Sequence, residues 1–281
     1  MDTGTVFSAT YGDQAASAAE ATAAGPRWAE LFARGTHSFR TLGRFALDLV
    51  YPPSCLCCQK AIGNHGGLCP RCWAAMTFID KPYCDRLGTP FAYDLGIAGL
   101  LSPEAIANPP VYTRARAVAR FEDGPARELV HRLKFHDRME LAEPMGAWMA
   151  RAGEDILPEA DFLVPVPLHR ARLMWRQFNQ AQALAVAIGR ACGKKVEPLL
   201  LHRVKRTAPQ IGLTRAQRAE NVQGAFAVPE EAKPMVEGRH IVLVDDVLTT
   251  GATINAAARA LLRGGAERVD VLVFARVVTA A

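Results

Sequence analysis

Near the C-terminus, Asp245 and Asp246 stand side by side, and Thr249-Thr250-Gly251-Ala252-Thr253 follows two residues later. Adjacent carboxylates can accept hydrogen bonds from vicinal hydroxyls such as the 2- and 3-hydroxyls of a ribose. A small hydroxyl-rich turn that opens a helix offers backbone N–H groups and the positive end of the helix dipole to a phosphate. The threonine hydroxyls add donors, and no side-chain cation is required. An acid that merely capped the next helix would explain one carboxylate and none of the hydroxyl run. The pattern therefore describes a phosphate site with a diol site beside it.

Positioning these groups needs a strand before them and a helix after. Ile241 to Val244 is a short apolar run rich in β-branched side chains, as in a strand buried on both faces of a parallel sheet. The acids are expected where that strand ends. Ile254 to Arg263 reads as the helix, stopped by Gly264-Gly265.

A second constellation lies far upstream. Six of the seven cysteines fall between Cys55 and Cys84, with Cys192 apart. Cys55-x-x-Cys58 and Cys69-x-x-Cys72 are paired knuckles, the arrangement by which four thiolates surround one zinc tetrahedrally. Clustered cysteines in a cytosolic chain favour metal over disulfides, and a redox dithiol pair is the competing reading. Cys57 sits inside the first knuckle as an alternative to Cys55, and His65 reads as a bystander. Tyr83-Cys84-Asp85-Arg86-Leu87-Gly88 looks like a further knuckle whose second cysteine has become Leu87, so a single metal is expected.

The rest of the chain supplies context. At 281 residues, half of them hydrophobic, it suits one large domain plus a small module. No apolar run reaches the ~18 residues that span a bilayer. Residues 1–26 lack the basic and apolar regions of a secretory signal and read as a disordered tail in a cytoplasmic protein. Residues 27–50 carry apolar stripes with arginines between them, an amphipathic helix expected to pack on the protein rather than on a membrane. A zinc module and connector occupy 51–110. From 111 to 281, strands at 111–121, 162–167, 241–244 and 269–278 alternate with helices at 126–134, 141–152, 181–192 and 254–263. That order indicates a mainly parallel α/β sheet flanked by helices. His131 and His136 read as exposed helix positions. Between Leu168 and Asn221, eleven Lys or Arg face only Glu197 and Glu220, a local net of +9 against +5 for the whole chain. Positive charge is thus concentrated where a polyanion would sit.

The stretch from Ile241 to Thr253 resembles the phosphoribosyl-pyrophosphate (PRPP) signature of type I phosphoribosyltransferases: four apolar residues, two acids, two apolar residues, then Thr-Thr-Gly-x-Thr. The wider series resembles the ComF family of double zinc ribbon, phosphoribosyltransferase-like proteins. It comprises a Cys-x-x-Cys ribbon after Pro52-Pro53, Lys134-Phe135, Val164-Pro165-Val166-Pro167-Leu168-His169, Arg172-x-x-x-Arg176-x-Phe178-Asn179-Gln180, Thr207-x-x-Gln210 and the acid-pair signature. The resemblance implies a type I phosphoribosyltransferase-like domain after an N-terminal zinc ribbon. It implies that Asp245 and Asp246 bind the ribose hydroxyls of PRPP, with Mg²⁺ bridging ribose and pyrophosphate. Thr249, Thr250, Gly251, Ala252 and Thr253 would cradle the 5-phosphate. His169, Arg170, Arg172 and Arg176 would face the pyrophosphate, and Lys205 and Arg206 would lie on a closing loop. Gln177, where the family has Gly, and Leu87 depart from the pattern.

Two functions follow as expectations. One is a transferase displacing pyrophosphate from C1 of PRPP, in a chain that pairs as a homodimer as related transferases often do. The other, implied by the family's link to natural competence, is a factor handling single-stranded DNA whose nucleotide site is regulatory. The basic segment fits a phosphate backbone, but it has few aromatics for base stacking. Acceptor recognition falls to a hood outside the core, for which the zinc module is the candidate. Nothing between Cys55 and Pro110 identifies the acceptor.

Overall fold

The computed structural model describes residues 52–135, 138–168, 178–205 and 214–278. The expected tail at 1–26, the helical segment at 27–50, and His136, His169, Arg170, Arg172, Arg176 and Arg206 lie outside these residues. Residues from Pro53 onward belong to one contact unit.

In chain order the elements are α1 (Pro70–Ala74), α2 (Pro103–Ala107), β1 (Ala115–Arg120), α3 (Pro125–Phe135), α4 (Ala142–Ala152), β2 (Phe162–Pro165), α5 (Gln180–Cys192) and β3 (Lys195–Val196). There follow β4 (His202–Arg203), α6 (Arg215–Asn221), β5 (Phe226–Ala227), α7 (Lys233–Val236), β6 (His240–Leu248), α8 (Ala252–Arg263) and β7 (Arg268–Arg276). Five strands form one parallel sheet in the order β1-β7-β6-β2-β3, and β4 pairs antiparallel with β5.

The sheet is sandwiched. Ile241, Leu243, Val271 and Val273 pack toward α8, while Val242, Val244, Leu272 and Phe274 pack toward α3, α4 and α5. Both faces being covered is why β6 and β7 carry nearly continuous apolar runs. Gly146 lets α4 lie against α5: a Cβ there would fall 2.4 Å from the Ala187 Cβ. Asn179 caps α5, its side chain accepting the Ala181 N–H at 3.1 Å, and Gly193 ends the helix at φ +71°. Thr214 and Gln217 form a reciprocal capping box on α6.

The structure departs from the sequence reading at one strand end. β6 does not stop at Val244 but continues through both acids to Leu248, because β7 supplies parallel partners as far as Arg276. β2 is an interior strand, and Pro165 is its last residue, where the chain opens into a loop.

β1 is one edge of the sheet, and the cysteine-rich module covers it. Ile79 and Arg120 exchange backbone bonds with Val118 and Thr77, and Phe78 bridges to Ala119. Trp73 meets Trp148 edge-on at 6.0 Å. Farther along, the Arg116 guanidinium holds Asp85 and Asp155, at 3.0 and 2.6 Å, beneath the Tyr83 ring. Gly88 passes so close to the edge that a Cβ would lie 2.3 Å from the Ala115 carbonyl.

Candidate functional site

The acid pair sits at the C-terminal end of β6, beside the point where β2 leaves the sheet. Pro165 pairs with Val244, and the Val166 N–H donates to the Val244 carbonyl at 2.9 Å. The Asn179 amide donates to the Val166 carbonyl at 3.1 Å, so the motif Phe178-Asn179-Gln180 ties the far end of the arginine-rich loop to its start. Asp245, Asp246, Thr249, Gly251, Ala252 and Thr253 line one cleft of about 540 Å³. The structure therefore gathers the acids and most of the turn in one place. Thr250 turns away, and its buried hydroxyl has no hydrogen-bond partner.

Two negative charges in sequence need an opposing cation. Lys134, at the end of α3, supplies it: its Nζ lies 2.8 Å from Asp246 Oδ1. Asp245 has no such ion pair among the described residues. Burial, followed by the charge of Asp246, pushes its carboxyl up to about 7, against the pull of Lys134 and the Asp246 N–H. That N–H donates to Asp245 Oδ1 at 2.9 Å. Asp245 is thus held near its titration point, ready to gain from hydroxyl donors or a cation.

The turn is built by Gly251, at φ +77°, which starts α8 without any side-chain cap. The first N–H groups of α8 are therefore left for a ligand. Asn255 steadies the turn by donating to the Gly251 carbonyl at 3.0 Å, and it accepts the Val111 N–H at 2.7 Å. It thereby joins the connector to the turn at Gly251. Lys205 is exposed, while Arg203 and Arg218 reach the cleft wall. His131 is exposed at that wall. Lys134, Asn255 and Arg203 stand at this site, and the sequence reading gave none of them a role there, quoting Lys134 only within the Lys134-Phe135 motif. The only local signals were the Lys134-Phe135 helix end and an asparagine four residues after the turn glycine.

The metal-type cluster is separate. The Sγ atoms of Cys55, Cys58, Cys69 and Cys72 all lie within 4.8 Å of one another, and none of these cysteines is in a disulfide. The Cys58–Cys69 separation of 3.6 Å is close to the edge of a tetrahedron around zinc. The Cys69 N–H donates to Cys55 Sγ at 3.2 Å and the Cys72 N–H to Cys69 Sγ at 3.4 Å. Burial raises Cys55, but the amides of Cys58, Cys69 and Cys57 outweigh it and bring the thiol down to about 6. The residues fit a structural zinc. Cys57 and His65 are outside the four-sulfur set.

The second knuckle repeats the first bond for bond. Cys55 N–H bonds to the Lys60 carbonyl and Gln59 N–H to the Cys55 carbonyl, with Gln59 at φ +61°. Cys84 N–H bonds to the Thr89 carbonyl and Gly88 N–H to the Cys84 carbonyl, with Gly88 at φ +65°. Ser102 N–H donates to Cys84 Sγ at 3.2 Å, as Cys69 does to Cys55, and Ala105 N–H donates to Ser102 Oγ as Cys72 does to Cys69. Ser102 and Cys69 each cap a Pro-led helix, α2 and α1. The four ligand positions of a second ribbon are thus Cys84, Leu87, Ser102 and Ala105. Cys84, Leu87 and Ala105 pack with Phe91 and Leu101 into a small apolar core instead. Restoring thiols with Leu87→Cys, Ser102→Cys and Ala105→Cys together is expected to add a second zinc per chain, measured by elemental analysis. Unchanged zinc content would refute the correspondence.

Comparison with known proteins agrees. A double zinc ribbon domain matches residues 46–103, and a phosphoribosyl transferase domain matches 199–279. The chain is 33% identical over 231 residues to the DNA utilization protein YhgH of Escherichia coli K12, covering 79% of this chain and 96% of that protein. It is 29% identical over 230 residues to competence protein F of Haemophilus influenzae, covering 78% and 96%. With competence protein ComFC of Bacillus subtilis it shares 30% identity over 152 residues, covering 53% and 58%. With two ribbons, a parallel phosphoribosyltransferase-type sheet and these relatives in one chain, the protein belongs to the ComF family.

Proposed function

We propose that the chain binds PRPP with Mg²⁺ and displaces pyrophosphate from C1 of the ribose by an acceptor. The observation that carries this reading is the shared cleft: a carboxylate pair, one member ion-paired to Lys134 and the other without an ion pair among the described residues, stands beside an uncapped helix N-terminus. In this reading Asp245 and Asp246 take the ribose hydroxyls, and the N–H groups opening α8 take the 5-phosphate. His169, Arg170, Arg172 and Arg176 follow β2 directly and are proposed to meet the pyrophosphate. Mg²⁺, when bound, supplies charge compensation to the leaving group. The bond from C1 to the pyrophosphate oxygen breaks, the bond to the acceptor forms, and the developing charge is stabilised electrostatically. Lys205 and Arg206 are proposed for the segment that closes over the bound ligand.

The names of the relatives, DNA utilization and competence, support a setting in DNA uptake or use, with single-stranded DNA as a partner in a second reading. The excess of +9 between Leu168 and Asn221 fits a phosphate backbone, but a pyrophosphate site accounts for the same arginines without DNA. Titration calorimetry with PRPP and Mg²⁺ tests the first. Saturable heat is expected, and Asp246→Asn is expected to weaken affinity about 10- to 100-fold through loss of charge-assisted hydrogen bonds. A parent protein that gives no heat, or a variant indistinguishable from it, refutes the proposal.

A further inference from the structure

A second cavity, of about 1750 Å³, opens on the other side of the phosphate turn. Its walls are the turn itself, the start of α8, and the metal-free second ribbon with its connector, from Leu87 to Tyr112. Leu248, Thr249, Gly251 and Ala252 line both cavities, so the two spaces meet at the turn. The candidate hood is therefore the cysteine-poor half of the module, not the four-cysteine cluster.

The floor of this cavity carries two arginines that the sequence did not single out. Arg120 ends β1 and Arg276 ends β7, and the two are direct register partners in the parallel sheet. Neighbouring strands set such partners about 5 Å apart at the backbone, so two positive side chains enter one space together. Arg276 is only 7% exposed, and its Nε and Nη1 are buried without a hydrogen-bond partner. Arg120 Nε is buried and unpartnered in the same way. Tyr112 and Glu104 act electrostatically on the Arg276 guanidinium, yet burial still drives its affinity for the proton down. Buried donors normally find acceptors, and unsatisfied ones mark a ligand or a functional strain. A guanidinium with unpartnered buried N–H groups is suited to an oxyanion. Around the pair the walls mix apolar residues, Phe91, Pro109, Val111, Tyr112 and Val222, with the charged Glu104, Glu220, Arg218 and Arg259.

We infer that Arg276 and Arg120 hold an oxyanion, carboxylate or phosphate, of a small acceptor whose apolar body lies between the second ribbon and the phosphate turn. This rests on the PRPP reading for the word acceptor. The anion site itself stands on the two arginines and the cavity.

Thermal melting of the full chain tests it, with benzoate and inorganic phosphate as probes, each with and without PRPP and Mg²⁺. At least one probe is expected to raise the melting temperature of the parent, also when PRPP is present. Benzoate alone would mark a carboxylate acceptor, and phosphate alone a phosphorylated one. Arg276→Gln is expected to abolish that rise while the calorimetric heat of PRPP binding stays within twofold of the parent. Arg276→Leu, without probe, is expected to melt no lower than the parent, because a ligand-binding arginine leaves the empty site strained. Three outcomes overturn the inference: no stabilisation of the parent by either probe, a rise that persists in Arg276→Gln, or an Arg276→Leu protein that melts well below the parent. The last would make Arg276 a structural partner of Tyr112 and Glu104. Failure of PRPP to bind would refute the transferase reading and leave the anion site to be judged on the probes alone.

Discussion

Cys72→Ser is expected to strip the chain of its zinc and unfold the first ribbon. Cys72 is 8% exposed, and its N–H and thiol both belong to the four-sulfur set. Burial, together with the neighbouring Cys69, Cys58 and Cys55 thiols, pushes the Cys72 thiol far up in the metal-free arrangement. Only a cation makes four close thiolates compatible. Structural zinc contributes about 10–16 kcal/mol of apparent binding energy in small ribbons and fingers. The half-buried apolar residues packed against the cluster, Ile62 and Leu68, cannot replace that. The damage should spread to the sheet edge, because Leu56 and Met76 are part of the core beneath α3 and α4. A loss of about 2–4 kcal/mol from the main unit is the expected scale for several buried apolar contacts. Hydrogen exchange reads both effects. Amides from Cys55 to Phe78 should lose protection in the variant and in chelator-treated parent, while those of β6 and β7 keep theirs. Unchanged protection between Cys55 and Phe78 without zinc would show that the ribbon is held by packing alone.

Asp245→Asn should stabilise the empty protein near neutral pH while damaging its function. A carboxyl raised from 3.8 to about 7 binds its proton more tightly in the folded chain than in the unfolded one. Between those two values the unfolded chain releases the proton and the folded chain does not. Stability is therefore lost as pH rises from about 4 to about 7, and stays lost above. A shift of this size corresponds to at most about 4 kcal/mol. Sharing of charge with Asp246 and Lys134 reduces the expected gain for the asparagine variant to about 1–2 kcal/mol at pH 7.5. That is a rise of about 2–8 °C in melting temperature for a unit of this size. The gain should shrink steadily as pH is lowered toward 5, and PRPP should no longer stabilise the variant. An Asp245→Asn protein less stable than the parent at pH 7.5 would mean that the carboxylate is charged and satisfied in the fold. Such a trade of stability for a poised group is what a binding site, rather than a structural acid pair, predicts.

What the sequence by itself determined about this protein is local chemistry. The Asp-Asp and Thr-Thr-Gly-Ala-Thr run could be read as one site because a strand, a turn and a helix start are built from adjacent residues. Two Cys-x-x-Cys knuckles name their sulfurs for the same reason: each turn closes on its own amides. The helix read at 181–192 was legible too, and Asn179 and Gly193 bound it through a short-range hydrogen bond and a left-handed turn. The extent of β6 was not legible, because polar residues continue a strand only when a neighbour offers a ladder, and β7 does so here. Strand order, too, is a long-range property. It put the end of α3 over β6, so that Lys134 rather than a nearby residue meets Asp246. The same order placed Arg120 opposite Arg276 in a second cavity beside the Thr249–Thr253 turn. The emptied ribbon was half visible in Leu87. Its other lost positions, Ser102 and Ala105, emerged only from backbone hydrogen bonds that survive when the sulfurs are gone. Tertiary structure decided these features because each depends on residues brought together across the sheet, where no spacing along the chain could record them.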